Sequence, residues 1–188
     1  MDRRELIGWM MATGGLAVFS QRSAAELLAM GADAHRAPQV PQARVMDAHA
    51  ALTVQVAAAL IIPATDTPGA TEAGVAAFIE RMLDQWYPAD DRDRFLAGVA
   101  ELDGRARARG QPDFVTAGAA DQVAMLQHFD DAVTALREAR DPSANQRWFA
   151  MLKYLTVWGY CTSEPGMRDT LHTWPMPMHY DGNARVGA

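Results

Sequence analysis

Three polar side chains in the first half of the chain are of the types that perform acid and base chemistry. Asp66 and Glu72 lie in the stretch LIIPATDTPGATEAGV, residues 60–75, and His49 precedes it. Two carboxylates, or a carboxylate and an imidazole, can act as general acid and general base. Asp between two threonines also favours a turn, and Glu suits the first turn of a helix. The sequence favours these structural uses, and it favours helix capping for Asp47 beside His49.

Other chemistry finds little support in the residue types and their spacing. There is no HExxH, GxSxG, GxGxxG or GxxxxGK[ST] motif, and the single cysteine, Cys161, excludes a disulfide within the chain and a zinc site made of cysteines. Cys161 is interpreted as a small buried apolar residue, with an intermolecular bridge or a reactive thiol as the alternatives. The closest histidine pair, His172 and His179, is interpreted as ordinary surface or interface histidines. The sequence therefore predicts no catalytic, cofactor-binding or metal-ligating residue.

The beginning of the chain has the pattern of an export signal. Arg3 and Arg4 precede a Gly-interrupted apolar segment, residues 6–19, which is shorter than the roughly 20 apolar residues that a membrane span needs. The arginine pair resembles a twin-arginine signal, predicted over residues 1–25. An uncleaved anchor and a buried N-terminal helix remain alternatives. A Pro-containing linker follows over residues 26–45, and the domain is predicted to begin near Met46.

Two helices are expected on either side of the 60–75 stretch. Asp47 is a suitable cap for the first helix, and Pro63 would end it. Thr71 is a plausible cap for the second helix, which Tyr87-Pro88 would end. The apolar faces at helical spacing are Leu52, Val56, Ala59 and Leu60 in the first helix, and Val75, Phe78, Ile79, Met82, Leu83 and Trp86 in the second.

Three further helices are expected in the second half. Residues 89–110 begin with acids and end with arginines, an order that complements the helix dipole. The fourth helix would end at Asp141-Pro142, and Ser143 would cap the fifth, although its segment YLTVWGYCT also has the composition of a strand. The expected apolar residues are Phe95, Leu96, Val99 and Leu102, then Val123, Leu126, Phe129, Val133 and Leu136, then Trp148, Phe149, Leu152, Leu155 and Trp158.

The segment after residue 171 has bulky apolar residues but no periodicity. Trp174, Met176, Met178 and Tyr180 cannot cover one another in so short an irregular stretch, so they should pack on this domain or on a partner. The sequence thus predicts an all-α fold, a single helical bundle over residues 46–188 with an irregular, ordered C-terminal docking tail from about residue 172.

The charge balance argues against one class of partner. The chain has 17 basic and 23 acidic residues, a formal net charge of −6. An acidic molecule repels the phosphate backbone, so nucleic acid is not expected as a partner.

Several stretches in order along the chain resemble a known family. LIIPATDTPGATEAGV, FIERMLDQWYP, WFAMLKYLTVWGYCTSEPGM and MHYDG are together similar to the gluconate 2-dehydrogenase subunit 3 family, over about the whole chain from Met46 onward. One departure is Cys161, which follows "GY" where the family pattern leads one to expect an aromatic residue. The family supplies no catalytic residues to transfer to this chain.

The resemblance implies a function in export and assembly. Such a chain would be a non-catalytic small subunit that binds, stabilises and co-exports the FAD-containing large subunit of a periplasmic sugar or sugar-acid dehydrogenase, of the glucose-methanol-choline (GMC) type, with a cytochrome c subunit where one is present. FAD is expected in the partner, and membrane association only through the complex or an uncleaved signal. The rival interpretations are a free-standing periplasmic helical enzyme that uses Asp66, Glu72 or His49, and a module anchored by residues 6–19.

Overall fold

The domain consists of helices throughout the part that can be described. The computed structural model describes residues 45–173, apart from the side chain of residue 145, and this range contains no β-strand. The predicted all-α fold is confirmed. Five α-helices are present in residues 45–173: α1 (Ala48–Ile61), α2 (Val75–Gln85), α3 (Ala89–Ala108), α4 (Ala119–Glu138) and α5 (Trp148–Thr162). A 3-10 helix (Pro142–Gln146) precedes α5, and a π-helical turn (Gly166–Thr170) follows it.

Helix α5 forms the centre of the bundle. It contacts each of the other four α-helices, and all of its residues except Met151 are buried. The strand-like segment YLTVWGYCT lies within this helix. A helix that is apolar on all sides is typical of a position surrounded by other helices, and this position explains why β-branched and aromatic residues are tolerated there.

Two glycines allow the surrounding helices to approach α5 closely. A Cβ on Gly98 of α3 would lie 2.0–2.4 Å from ring carbons of Trp148 on α5. A Cβ on Gly159 of α5 would lie 2.7 Å from the ring of Phe78 on α2. These glycines are therefore packing residues, and each leaves space for an aromatic ring.

The helix termini follow the sequence in part. The Asp47 side chain caps α1 by accepting a hydrogen bond of 2.7 Å from the Ala50 N–H, as predicted. The Thr71 cap is wrong, because α2 begins only after Gly74, whose φ of 68° favours glycine. The Ser143 cap is also wrong: Asp141 accepts from the Ser143 N–H and begins the 3-10 helix, while Arg147 precedes α5.

Three large apolar residues predicted for the helix faces lie at the surface. Leu52 is 44% exposed, Trp86 is 45% exposed and Val123 is 51% exposed. In α1 the buried face instead consists of Thr53, Val54, Ala57 and Ala58. Apolar residues occur on nearly every side of this helix, so the packing against the bundle, and not the periodicity, determines which side faces inward.

Candidate functional site

The loop between α1 and α2 folds back on itself and packs on the bundle. The Ala70 N–H donates to the Ile62 carbonyl at 2.9 Å, and a Cβ on Gly69 would lie 2.5 Å from the Ala64 nitrogen. Ala70 and Ala73 are buried. The stretch singled out in the sequence is thus a compact joint between two helices.

Tyr160 of α5 connects this loop to the turn that ends the described chain. Its hydroxyl donates to the Pro68 carbonyl at 2.7 Å and pairs with Thr170 Oγ1 at 2.7 Å. Because the single hydroxyl hydrogen is used on Pro68, Tyr160 accepts from Thr170. One buried side chain therefore holds together two segments that are about a hundred residues apart in sequence.

The two loop carboxylates considered for acid and base catalysis have structural partners. Asp66 is exposed and accepts from the Thr65 hydroxyl at 2.8 Å, and this hydrogen bond lowers the pKa of Asp66. Glu72 accepts from the Gly69 N–H at 2.9 Å. A carboxylate whose pKa is lowered stays ionised and is poorly suited to donate a proton near neutral pH. The turn interpretation of this loop fits these contacts.

His49 has a partner that the sequence did not indicate. Its Nε2 lies 2.7 Å from Oδ2 of Asp103 on α3, and Oδ1 of that buried carboxylate accepts from the Phe114 N–H at 2.9 Å. Gln122 of α4 donates to the Phe114 carbonyl at 2.9 Å. The Asp103–His49 pair therefore connects α1, α3 and the loop before α4, so its observed contacts are those of a structural residue pair. The position of Asp103 directly after Leu102, on the buried side of α3, was the one sequence signal for it.

The only lysine of the chain forms a largely buried ion pair between α4 and α5. Lys153 Nζ donates to Asp130 at 2.6 Å, and 10% and 21% of these side chains are exposed. Burial lowers the pKa of Lys153, and the hydrogen bond with Asp130 opposes this shift. The pair should stabilise the contact between α4 and α5, because an ammonium ion is costly to bury without its carboxylate.

A half-open groove of about 500 Å³ lies between α3, α4 and the beginning of α5. Its floor is a cluster of aromatic rings in which Phe129 and Trp148 meet edge to face at 4.8 Å, and Trp148 and Phe149 do so at 5.6 Å. The Arg105 guanidinium lies 4.6 Å from the centroid of the Phe129 ring, and Arg147 also lines the groove. Sequence reasoning assigned these rings to the core but missed that the helices leave a groove above them.

Comparison with known proteins decides the family. A model of the family described as gluconate 2-dehydrogenase subunit 3 matches residues 48–181, well over half of the chain. The chain belongs to this family. Neither the comparison with curated proteins nor the comparison with solved structures gave a match.

Two further residues that the sequence singled out in this subunit 3 family member, Cys161 and His172, lie in the described part of the chain. Cys161 is buried, and burial raises its thiol pKa to about 12, so it has the environment of an unreactive core residue. His172 is exposed and donates from Nδ1 to the Arg168 carbonyl at 3.0 Å. Within residues 45–173 no cluster of three or more His, Cys, Asp or Glu residues has metal-site geometry, and no helix in that range combines the length and apolarity of a membrane span.

Several predictions for this family member fall outside the described residues. They are the export arginines Arg3 and Arg4, the linker, His179, and the docking residues Trp174, Met176, Met178 and Tyr180. These remain predictions from the sequence.

Proposed function

We propose that the chain is the non-catalytic small subunit that binds, stabilises and co-exports the FAD-containing catalytic subunit of a periplasmic sugar or sugar-acid dehydrogenase. The observation that carries this proposal is the subunit 3 family match over residues 48–181. The partner would be a flavoprotein of the glucose-methanol-choline type that oxidises CH–OH donors, accompanied in some complexes by a cytochrome c. FAD belongs to the partner, and this chain acts as an escort.

Two features of the molecule support the proposal. First, two of the residues considered for catalysis have structural partners instead: His49 binds Asp103, and Glu72 binds the loop backbone. Secondly, Arg3 and Arg4 resemble a twin-arginine signal, a type that serves proteins folded before export. An escort carrying this signal would bring a flavoprotein already loaded with FAD to the periplasm.

The export step is tested by changing the arginine pair in cells that produce both subunits. We expect Arg3→Lys with Arg4→Lys to retain both proteins in the cytoplasm and to remove dye-linked dehydrogenase activity from the periplasm. The matched control is Arg36→Lys with Arg44→Lys, which makes the same change in the linker and should leave export intact. Periplasmic activity unchanged by the first double substitution would contradict the proposal, as would export of the flavoprotein without this chain.

Measurements on the purified chain distinguish the proposed escort function from the rival functions. We expect isolated chain to show no flavin absorbance, no haem band and no dehydrogenase activity. Activity that remains after complete removal of the large subunit would favour a free-standing enzyme. Membrane attachment of this chain in cells that lack its partners would favour an uncleaved anchor.

The predicted docking tail has its own test. Truncation before His172 removes Trp174, Met176, Met178 and Tyr180, residues of the types that are enriched in interface cores. We expect this truncation to weaken co-purification with the flavoprotein more than it lowers the melting temperature of the isolated chain. Unfolding of the truncated chain, with normal binding per folded molecule, would show instead that the tail belongs to the core of the bundle.

A further inference from the structure

The groove above the aromatic cluster concentrates positive charge on an acidic protein. Its charged lining consists of Arg105, Arg147 and one carboxylate, Glu101, and the imidazole of His128 lies beside them. Arg105 is paired with Glu101 at 2.9 Å, whereas Arg147 is exposed and forms no salt bridge with any described residue, although its charge helps to lower the pKa of the Asp141 carboxyl. The chain as a whole has a formal net charge of −6. The Arg147 guanidinium therefore has a carboxylate in its neighbourhood but forms no salt bridge with it, so it can still bind an incoming carboxylate.

The floor of the groove is apolar and held in a fixed shape. The Trp148 ring is enclosed between Phe129, Phe149 and the closely packed backbone at Gly98. Arg105 is also fixed, because it stacks on Phe129 while it binds Glu101. Binding to a surface that is ordered beforehand costs less conformational entropy, and Trp, other aromatic residues and Arg are the types that supply most of the energy in protein interfaces.

We propose that this groove receives a segment of the dehydrogenase subunit in which an apolar side chain lies beside a carboxylate. A volume of about 500 Å³ accommodates one or two side chains on the aromatic floor, and the adjacent carboxylate binds the Arg147 guanidinium in the fork geometry that arginine favours. This inference rests on the proposed function and identifies a surface, in addition to the predicted docking tail, with which the subunit meets its partner.

Two pairs of matched variants test it, each on full-length chain with the purified dehydrogenase subunit as the probe. Ala132→Trp blocks the groove from an exposed position of α4, and Ala124→Trp makes the same change at an exposed position of α4 outside the groove. Arg147→Glu reverses the charge of the groove arginine that forms no described salt bridge, and Arg109→Glu changes the net charge equally at an exposed position outside the groove.

We expect both groove variants to raise the dissociation constant at least about tenfold, because substitutions at interface centres commonly have effects of this size. Both controls should bind within about twofold of the unmodified chain, and all four melting temperatures should stay close to that of the unmodified chain. Binding by unmodified chain should weaken with salt, and Arg147→Glu should reduce that dependence, since it removes the ion pair.

Four different outcomes would contradict the inference, and each points to a different explanation. If the groove variants bind like their controls, the groove is not the interface, although the proposed function stands. If unmodified chain does not bind the dehydrogenase subunit, both fail. A melting temperature lowered by Ala132→Trp only when residues 174–188 are present would show that the chain's own tail fills the groove. If the isolated chain forms a dimer and Ala132→Trp dissociates it, a second copy of the chain fills the groove.

Discussion

Gly98 of α3 lies so close to the Trp148 ring of α5 that no other residue fits at this position without a rearrangement. Ala in place of Gly normally stabilises a helix by roughly 0.5–1 kcal/mol. Here the added methyl group would overlap the ring, and overpacking of this kind costs about 1–3 kcal/mol. We therefore expect Gly98→Ala to lower the free energy of unfolding, as measured by urea denaturation.

Gly104 on the same helix supplies the control for that measurement. A Cβ added there meets no atom within 4 Å. Gly104→Ala should thus raise stability by roughly 0.5–1 kcal/mol through helix propensity alone. A Gly98→Ala protein as stable as the Gly104→Ala protein would show that α3 and α5 are not packed as closely as described.

The Tyr160 hydroxyl is expected to protect two segments at once. Tyr160→Phe leaves the Pro68 carbonyl and the Thr170 hydroxyl without this partner, at a cost of about 1–3 kcal/mol. We expect amide hydrogen exchange to become faster both in residues 62–74 and in residues 166–171. Tyr154→Phe is the control, because the Tyr154 hydroxyl has no hydrogen bond with the described residues. Faster exchange in one segment alone would contradict the conclusion that Tyr160 stabilises both segments.

The ion pair between Lys153 and Asp130 should be costly to break but not to replace. Lys153→Met removes the cation that is hydrogen-bonded to the largely buried Asp130, which keeps its electrostatic interaction with Arg137, and we expect a loss of about 2–4 kcal/mol in the free energy of unfolding. The double variant Lys153→Met with Asp130→Leu removes both charges and should recover most of that loss. Urea denaturation of the two single variants and the double variant measures the coupling. Additive losses would mean that the two side chains do not interact.

Burial of the Tyr154 ring predicts a loss of stability in alkali. Burial raises the pKa of Tyr154 to about 12, whereas an unfolded tyrosine titrates at about 10. The folded state thus holds the proton more tightly, so the stabilising contribution is complete below pH 10 and is lost as the pH rises through 12. Tyr154→Phe should flatten this part of the stability curve, measured by denaturation at each pH. Tyr154 also helps to raise the pKa of Tyr87, so its removal should reduce that second contribution as well. Equal slopes for both proteins would contradict the shift, since Cys161 is the same in each.

The sequence predicted the existence of the helices better than their orientation. Asp47 and Pro63 marked helix termini correctly because capping and chain-breaking are local properties. Leu52 was assigned to the wrong side because α1 is apolar almost all round, and Val123 of α4 was assigned to the wrong side because tertiary contacts decide which side of a helix is buried. Gly74, with its positive φ, replaced Thr71 as the residue before α2.

The contacts between distant residues were the hardest to predict. His49 and Asp103 are 54 positions apart, and their pairing depends on how α1 crosses α3. The groove likewise arises from three helices that meet at the start of α5, and no local pattern contains that information. The family, by contrast, was accessible because several short stretches occur in a fixed order along the chain.

The central position of α5 also constrains how the protein is made. Ribosomes produce the four outer helices first, and although α1 contacts α2, α3 and α4, the sides of these helices that face α5 stay uncovered until residues 148–162 have been synthesised. Nascent chains that stop before Trp148 should therefore be digested readily by protease, and chains that extend past the π-helical turn should resist it. Early resistance would show that α1 to α4 assemble without their centre. Completion of the fold thus depends on a late segment, and on the export route that we propose, a machinery that accepts folded cargo would act only after that segment has left the ribosome.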